Sequence, residues 1–368
     1  MKGERLRRAD DTIVRASPAH IKNLIELLGM EKAKTCPSPS LVGSTPEDLS
    51  LLESKEIATY RRAVGIALYL SPDRWDIQRD VQLLSRKLQS PTAHDWQRLV
   101  KVVRYLKGTQ QYGVRLSRPL HSKRDVIQLD MFSDTDFAGC AETPRAMTCG
   151  LLYLDGQPVH GFARRQGVQS TSSGEAELYG ASSVVFDGRL VKGLLEWLDF
   201  KVEYTLYVDS SSAKAMMNRD GVGGVKHLDV RVLWLQQERG QFGLKVRKVA
   251  GERNPADLGT KAHGVARFLT LREMSGIVEC LEMDDWPSAT VTKIEAETKF
   301  WGGTGERRAA VGKVVGFKFG DERGGDQYLC RDERPFNRGR PARFSDVVGH
   351  RVGDVGVGGG QVEDRDDL

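Results

Sequence analysis

Near residue 125 the hydrophobic period of this chain changes from helical to alternating, and no other feature restricts the fold as much. Before that point Ile57, Tyr60, Val64, Ala67, Leu68 and Leu70 mark one helical face, interrupted at Ser71-Pro72. Ile77, Val81, Leu84 and Leu88 mark a second, which stops at Ser90-Pro91. Thr92 is suited to cap a third, with Trp96, Leu99, Val100, Val103 and Leu106 inward and Gly108 closing it. After that point Val126–Phe132 alternates as a strand does, and two apolar runs, Cys149–Leu154 and Pro158–Phe162, flank Asp155-Gly156. Asp-Gly supplies the two positive-φ positions of a tight hairpin. Helix follows over Ser172–Leu198, strand over Glu203–Val208, helix over Ser211–Asn218 and Val225–Glu238, strand over Phe242–Val249, and a helix from near Pro255. Three strands in hairpins, then helix, strand, two helices, strand and helix make a mixed α/β domain, neither doubly wound nor a barrel.

The flanks carry less pattern. Residues 1–59 read as a charged lead-in, a short helix over His20–Met30 and a connector with three prolines, Cys36–Pro46. Residues 265–285 can add one more helix. Beyond about 286 Gly, Arg and Asp dominate, and a disordered tail is expected, because little apolar surface is available to offset ordering entropy.

Composition excludes some classes. Lys and Arg number 55 against 50 Asp and Glu, a formal net charge of +5. That permits a nucleic-acid partner without requiring one, since binding depends on charge gathered on one face. Cys36, Cys140, Cys149, Cys280 and Cys330 are scattered and form no C-x-x-C pair. A reduced, intracellular compartment is therefore expected, without a zinc site or disulfide framework. Nothing approaches the roughly 18 apolar residues of a bilayer span, and the basic N-terminus precedes no signal-peptide core. No membrane partner is expected.

Four acids stand where elements begin or end: Asp134 after the first strand of the mixed domain, Glu177 early in its long helix, Asp209 at the end of the next strand, and Asp257 at the start of the last helix. Carboxylates on rigid elements are the ligands Mg²⁺ takes. Gathered without a cation, they would repel one another by on the order of several kcal/mol. Alone, Asp134-x-Asp136 reads as a surface turn; the order of the four acids is what distinguishes it.

At these residues a family becomes visible. Ser133–Gly139 (SDTDFAG), Ser170–Tyr179 (STSSGEAELY), Lys226–Arg231 (KHLDVR) and Asn254–Lys261 (NPADLGTK) resemble successive blocks of the ribonuclease H domain of copia-type retrotransposon Pol polyproteins. Tyr60–Leu70, Arg74–Ile77 and Val102–Thr109 resemble the region joining reverse transcriptase to that domain, and His20–Met30 the end of the polymerase thumb. The resemblance covers roughly residues 10–263.

It implies an α/β fold, a ribonuclease H-like mixed sheet flanked by helices, preceded by a small helical thumb and connection region and followed by a largely disordered tail. The corresponding divisions are 1–59, a thumb-like remnant and linker; 60–124, helical connection; 125–263, ribonuclease H-like domain; 264–285, a helix; and 286–368, the tail. The implied activity is endonucleolytic hydrolysis of the RNA strand of an RNA·DNA hybrid with two Mg²⁺ ions, Mn²⁺ being a possible substitute. One ion activates the attacking water and the other stabilises the leaving oxygen. Asp134 would bridge both, Asp257 would complete the water-activating site, and Glu177 and Asp209 would hold the other. By the same comparison Glu175 is a solvated partner and Asp136 a motif residue outside the ligand set.

Other residues stay open between two readings. Arg164 and Arg165, and Lys245, Arg247 and Lys248, are phosphate contacts or solvated strand edges. Arg98, Lys101, Arg104 and Lys107 are a solvated helix face or a phosphate-tracking edge. His227 either packs on a helix or supplies the mobile histidine that many ribonucleases H carry before the last acid, which residues 247–256 lack. Trp197 and Trp234 read as core. No Tyr-x-Asp-Asp motif occurs, so DNA synthesis by this chain alone is not expected, the polymerase palm and fingers lying elsewhere in such a polyprotein. The location would be the cytoplasm, in a virus-like particle, or the nucleus. A decayed or co-opted fragment that binds nucleic acid without cutting it is the rival reading.

Overall fold

The computed structural model describes residues 3–7, 11–43, 48–117, 126–137, 145–221 and 229–280. His227, the first part of the helix expected from Val225, and everything from 281 onward, the expected tail included, lie outside them.

The chain opens as a hairpin, β1 (Gly3–Arg7) and β2 (Asp11–Ala16), where a charged lead-in was expected. Helices α1 (Pro18–Leu27), α2 (Ser54–Leu70), α3 (Gln78–Ser85) and α4 (Ala93–Gly108) follow. Their ends are those the prolines and caps dictate. Thr92 Oγ1 accepts from Asp95 N–H at 3.3 Å while Asp95 Oδ2 accepts from Thr92 N–H at 3.0 Å, closing a capping box on α4. The basic face of α4 is partly structural: Arg104 donates to Lys34 O at 2.6 Å and Lys107 to Ala33 O at 2.8 Å, tying down the loop after α1. The connection region is not wholly helical. Strand β3 (Tyr112–Ser117) pairs antiparallel with β2.

The mixed domain then builds a five-stranded sheet from β4 (Val126–Asp136), β5 (Met147–Leu154), β6 (Gln157–Arg165), β7 (Lys201–Val208) and β8 (Lys245–Lys248), in the order β6-β5-β4-β7-β8. The hairpin pairs β4/β5 and β5/β6 are antiparallel; β4/β7 and β7/β8 are parallel. Asp155 and Gly156 take φ of 47° and 78°, the left-handed pair the β5–β6 turn requires. Helices α5 (Ser173–Trp197), α6 (Ser211–Asn218) and α7 (Asp229–Phe242) pack on one face. Near Pro255 the structure has only a 3-10 turn, Pro255–Gly259; the last helix, α8, runs from Val265 to Met274. After it β9 (Ile277–Glu279) returns to pair with β3, completing a second sheet ordered β1-β2-β3-β9.

Alternation along the strands divides the core. Leu129, Met131, Leu152 and Leu206 join Leu178, Val184 and Val185 of α5. Leu151 and Tyr153 point the other way, into the core of α1 to α4. The mixed sheet is thus covered on both faces, the second by the helical region. Trp197, expected in the core, is 75% exposed at the end of α5, because the sheet covers only one side of a helix that is apolar on two. Among the described residues no helix is long and apolar enough to cross a membrane.

Candidate active site

Parallel pairing places two of the acids. Ser133 of β4 faces Val208 of β7, so the next residues, Asp134 and Asp209, emerge side by side at the same end of neighbouring strands. Asp134 lies within β4, which runs two residues beyond it, rather than after the strand. Glu177 comes from the first turns of α5. Gly180, one turn on, lets that helix sit directly on β4: a Cβ there would collide with Thr135 Oγ1. Glu177 is thereby brought over the strand end. One oxygen of each of Asp134, Glu177 and Asp209 lies within 4.8 Å of the other two.

The fourth acid arrives by a different device. Asn254, fully buried, accepts from Ala256 N–H at 3.2 Å and donates through Nδ2 to Ser133 O at 3.0 Å, pinning the turn that carries Asp257 to the end of β4. Thr260, at the end of that turn, donates to Asp134 Oδ2 at 2.5 Å. Asp257 shares a pocket with Asp209 but not the three-carboxylate cluster. Its oxygens are taken by cations, Lys261 Nζ at 2.7 Å and Arg267 at 3.0 Å. His263 accompanies it, its Nε2 lying 2.7 Å from Asp257 O.

Burial decides the electrostatics of the three. Desolvation, with Asp134 and Asp209 adding repulsion, pushes the Glu177 carboxyl up to about 9. Asp134 rises to about 6 by desolvation, with Thr260 opposing and Asp209 and Asp257 adding. Asp209 is raised as well, first by burial. Glu177 Oε2 is buried and accepts no hydrogen bond, an arrangement that costs free energy unless a proton or a cation is supplied.

That imbalance fixes a sign. Both folded-state values lie above those of the unfolded chain, so the protonated carboxyls favour the fold. Their contribution is full below about pH 4. It is lost as pH rises through about 6 for Asp134 and about 9 for Glu177. In EDTA, Glu177→Gln is therefore expected to melt above wild type at pH 8, by about 2–4 °C for each kcal/mol recovered. The gap should close toward pH 5. Thermal unfolding across that range checks it, and a gap that widens on acidification contradicts it.

Several sequence expectations change here. Glu175 is not solvated: it is buried, and its Oε2 accepts from Thr171 N–H at 2.6 Å and the Thr171 hydroxyl at 2.7 Å, bracing the start of α5. Asp136 stays outside the cluster, facing Arg79 and Lys261. The basic candidates divide between opposite sheet edges. Arg164 and Arg165 close β6, Arg164 pairing with Asp187 at 3.0 Å over the Phe162 ring. Lys245 and Arg247 lie on β8, with Lys245 paired to Glu203 at 2.6 Å and Arg247 beside Tyr207. Lys248 donates to Ser211 Oγ at 2.5 Å. The supporting roles of Asn254, Thr260 and Lys261 were not read from sequence, although all three lie in the block that carries Asp257. Arg267 had no motif to mark it.

Comparison with known proteins adds relatives. No family model matches the chain. It is 28% identical over 268 residues to the "Retrovirus-related Pol polyprotein from transposon TNT 1-94" of Nicotiana tabacum, an alignment covering 70% of this chain and 20% of that polyprotein. It is 26% identical over 223 residues to the "Retrovirus-related Pol polyprotein from transposon RE2" of Arabidopsis thaliana, covering 60% and 15% respectively. The chain thus spans a fifth or less of the length of these relatives. Among solved structures, LC11-RNase H1 isolated from compost overlaps 37% of this chain and 94% of its own, at 15% identity and a TM-score of 0.29. At that score the overlay carries none of the argument.

Proposed function

The chain belongs to the Pol polyproteins of copia-type retrotransposons, and from that premise we propose that it hydrolyses the RNA strand of RNA·DNA hybrids. The observation that carries this reading is the convergence of Asp134, Glu177 and Asp209 from three elements within 4.8 Å, with one Glu177 oxygen buried and unbonded. An all-oxygen donor set of that charge fits Mg²⁺, and Mn²⁺ as its substitute.

Asp134, Glu177 and Asp209 would hold the first ion. Asp257, on the same pocket as Asp209, stands as the further ligand for a second in exchange for Lys261. Bound there, the cations would supply an activated water and charge stabilisation at the scissile phosphate. The protein's own part is positioning. Thr260 fixes the Asp134 carboxylate through its hydroxyl. Choice of hybrid would rest on helix geometry and ribose 2′-hydroxyls rather than base edges. Arg165 is the best placed of the candidate phosphate contacts, because Arg165, Met147 and Asp136 are register partners at the acidic end of the sheet. Lys245 and Arg247 lie two strands from Asp134 on the far edge. The working partners would be the hybrid and the reverse transcriptase of the polyprotein, inside the cell.

Incubating the full chain with an end-labelled hybrid in Mg²⁺, in Mn²⁺ and in EDTA tests the proposal. Cleavage confined to the RNA strand, present with either metal and absent in EDTA, is expected. A hybrid that is bound but uncut with both metals leaves the non-cleaving fragment as the correct reading.

A further inference from the structure

The C-terminal half of α5 turns an apolar face to solvent. Phe186, Leu190, Leu194 and Trp197 recur at helical spacing, and each is more than half exposed. Leu198 and Phe200 continue the run past the helix end. Of seventeen exposed large apolar side chains among the described residues, these six fall between 186 and 200, a patch and not the usual scatter. The opposite side of the helix packs on the sheet through Leu178, Val184 and Val185.

Its area matches a particular kind of contact. At the exposures of Phe186, Trp197 and Phe200, and with the leucines included, the face presents on the order of 500 Å² of apolar surface. A standard interface covers about 800 Å² per partner, of which about 60% is apolar. Charge disfavours other occupants. Lys192 is buried, Arg189 is turned to Glu238 and the Phe242 ring, and the exposed charged residues of the segment are Glu196 and Asp199. Acids at the rim repel a phosphate backbone or an anionic lipid surface.

The face is also close to self-complementary. Reversing the helix about position 192 sets Leu190 against Leu194, and Phe186 against Leu198, of a second copy. Gly193 lies beside that centre, exposed, with nothing within 4 Å of where a Cβ would sit. Glycine is a poor helix former, and its place here suits the close approach of another helix.

We propose that two copies of this chain associate through this face, their α5 helices crossing antiparallel near Gly193. Glu177 lies about 20 Å along the helix from Leu190, so both acidic clusters stay open. Association of this kind is independent of whether the acids cut.

Sedimentation of the full chain from about 1 to 100 μM tests it. Wild type is expected to pass from monomer to dimer in that range, with a midpoint near about 10 μM. Leu190→Glu brings two like charges to the desolvated crossing and should weaken association about 100-fold. Gly193→Leu separates fitted packing from stickiness. It adds apolar surface yet blocks the crossing, so association should weaken here too. Leu49→Glu, at an exposed leucine outside the face, should associate as wild type does. All three positions are exposed, so the fold is expected to persist, which circular dichroism checks. A wild-type chain that stays monomeric at about 100 μM overturns the proposal, and is the outcome if another part of the polyprotein covers the face. Undiminished dimerisation of Leu190→Glu, tighter association of Gly193→Leu, or assembly that continues past two copies overturns it as well.

Discussion

Asp134→Asn is expected to slow hybrid cleavage on the order of 1,000-fold, equivalent to about 4 kcal/mol of barrier, while binding of the hybrid stays within about twofold. The substitution keeps the shape and one oxygen acceptor. Thr260 can still donate to it, and the strand end that carries it need not move. What it removes is the charge shared most closely with Glu177 and Asp209. Single-turnover cleavage beside a binding isotherm measures both quantities. Equal rates in variant and wild type would take Asp134, and with it the cluster, out of the chemistry. In EDTA the same variant should be no less stable than wild type, since it relieves repulsion among buried carboxylates whose ionisation is already disfavoured.

The second large effect lies away from the cluster. Arg74, fully buried, holds Asp76 with both ends of its fork, at 3.0 and 2.8 Å, and donates to Thr109 O at 2.9 Å. Tyr105 of α4 donates to the same Asp76 oxygen at 2.6 Å. Asp76→Ala leaves a guanidinium in the core without its counter-charge, and a loss of about 3–5 kcal/mol is expected in urea unfolding. Arg74→Met with Asp76→Leu should recover much of that, because the pair is removed whole. The effect should reach the site. The turn containing Asp76 also carries Trp75, whose Nε1 donates to Ser275 O at 3.2 Å, and leads into α3. Gln78, at the start of α3, donates to Gly161 O of β6 at 3.0 Å. Loosening this turn would move Arg79, which donates to Thr260 O at 3.3 Å, relative to the sheet. A loss of less than about 1 kcal/mol with Asp76→Ala would show that water replaces the missing carboxylate.

Together the two variants separate what the helical region and the sheet contribute. Asp134 and Asp209 stand at the ends of β4 and β7, Glu177 on α5 and Asp257 on the turn after β8, and Arg79 of α3 holds that turn through Thr260 O at 3.3 Å. A site assembled across such a seam is sensitive to the seam's stability, even where no reacting group is touched.

What the sequence determined alone was whatever depends on neighbours along the chain. The Asp-Gly turn, the Pro-terminated helices and the Thr92 cap are local signals, set by backbone preference and period, while the order of the four acids is legible through the family resemblance. The tertiary structure decided the rest. β1 and β2 are short, and β9 has three residues; β2 and β9 become strands by pairing on opposite sides of β3, and β1 by pairing with β2. Asp257 looked equivalent to the other acids, yet Lys261 and Arg267 neutralise it. Arg79 and Thr260, 181 positions apart, meet only because α3 and the turn carrying Asp257 arrive at the same sheet end. Periodicity is written in each segment, whereas charge compensation and strand pairing depend on which distant segment arrives alongside.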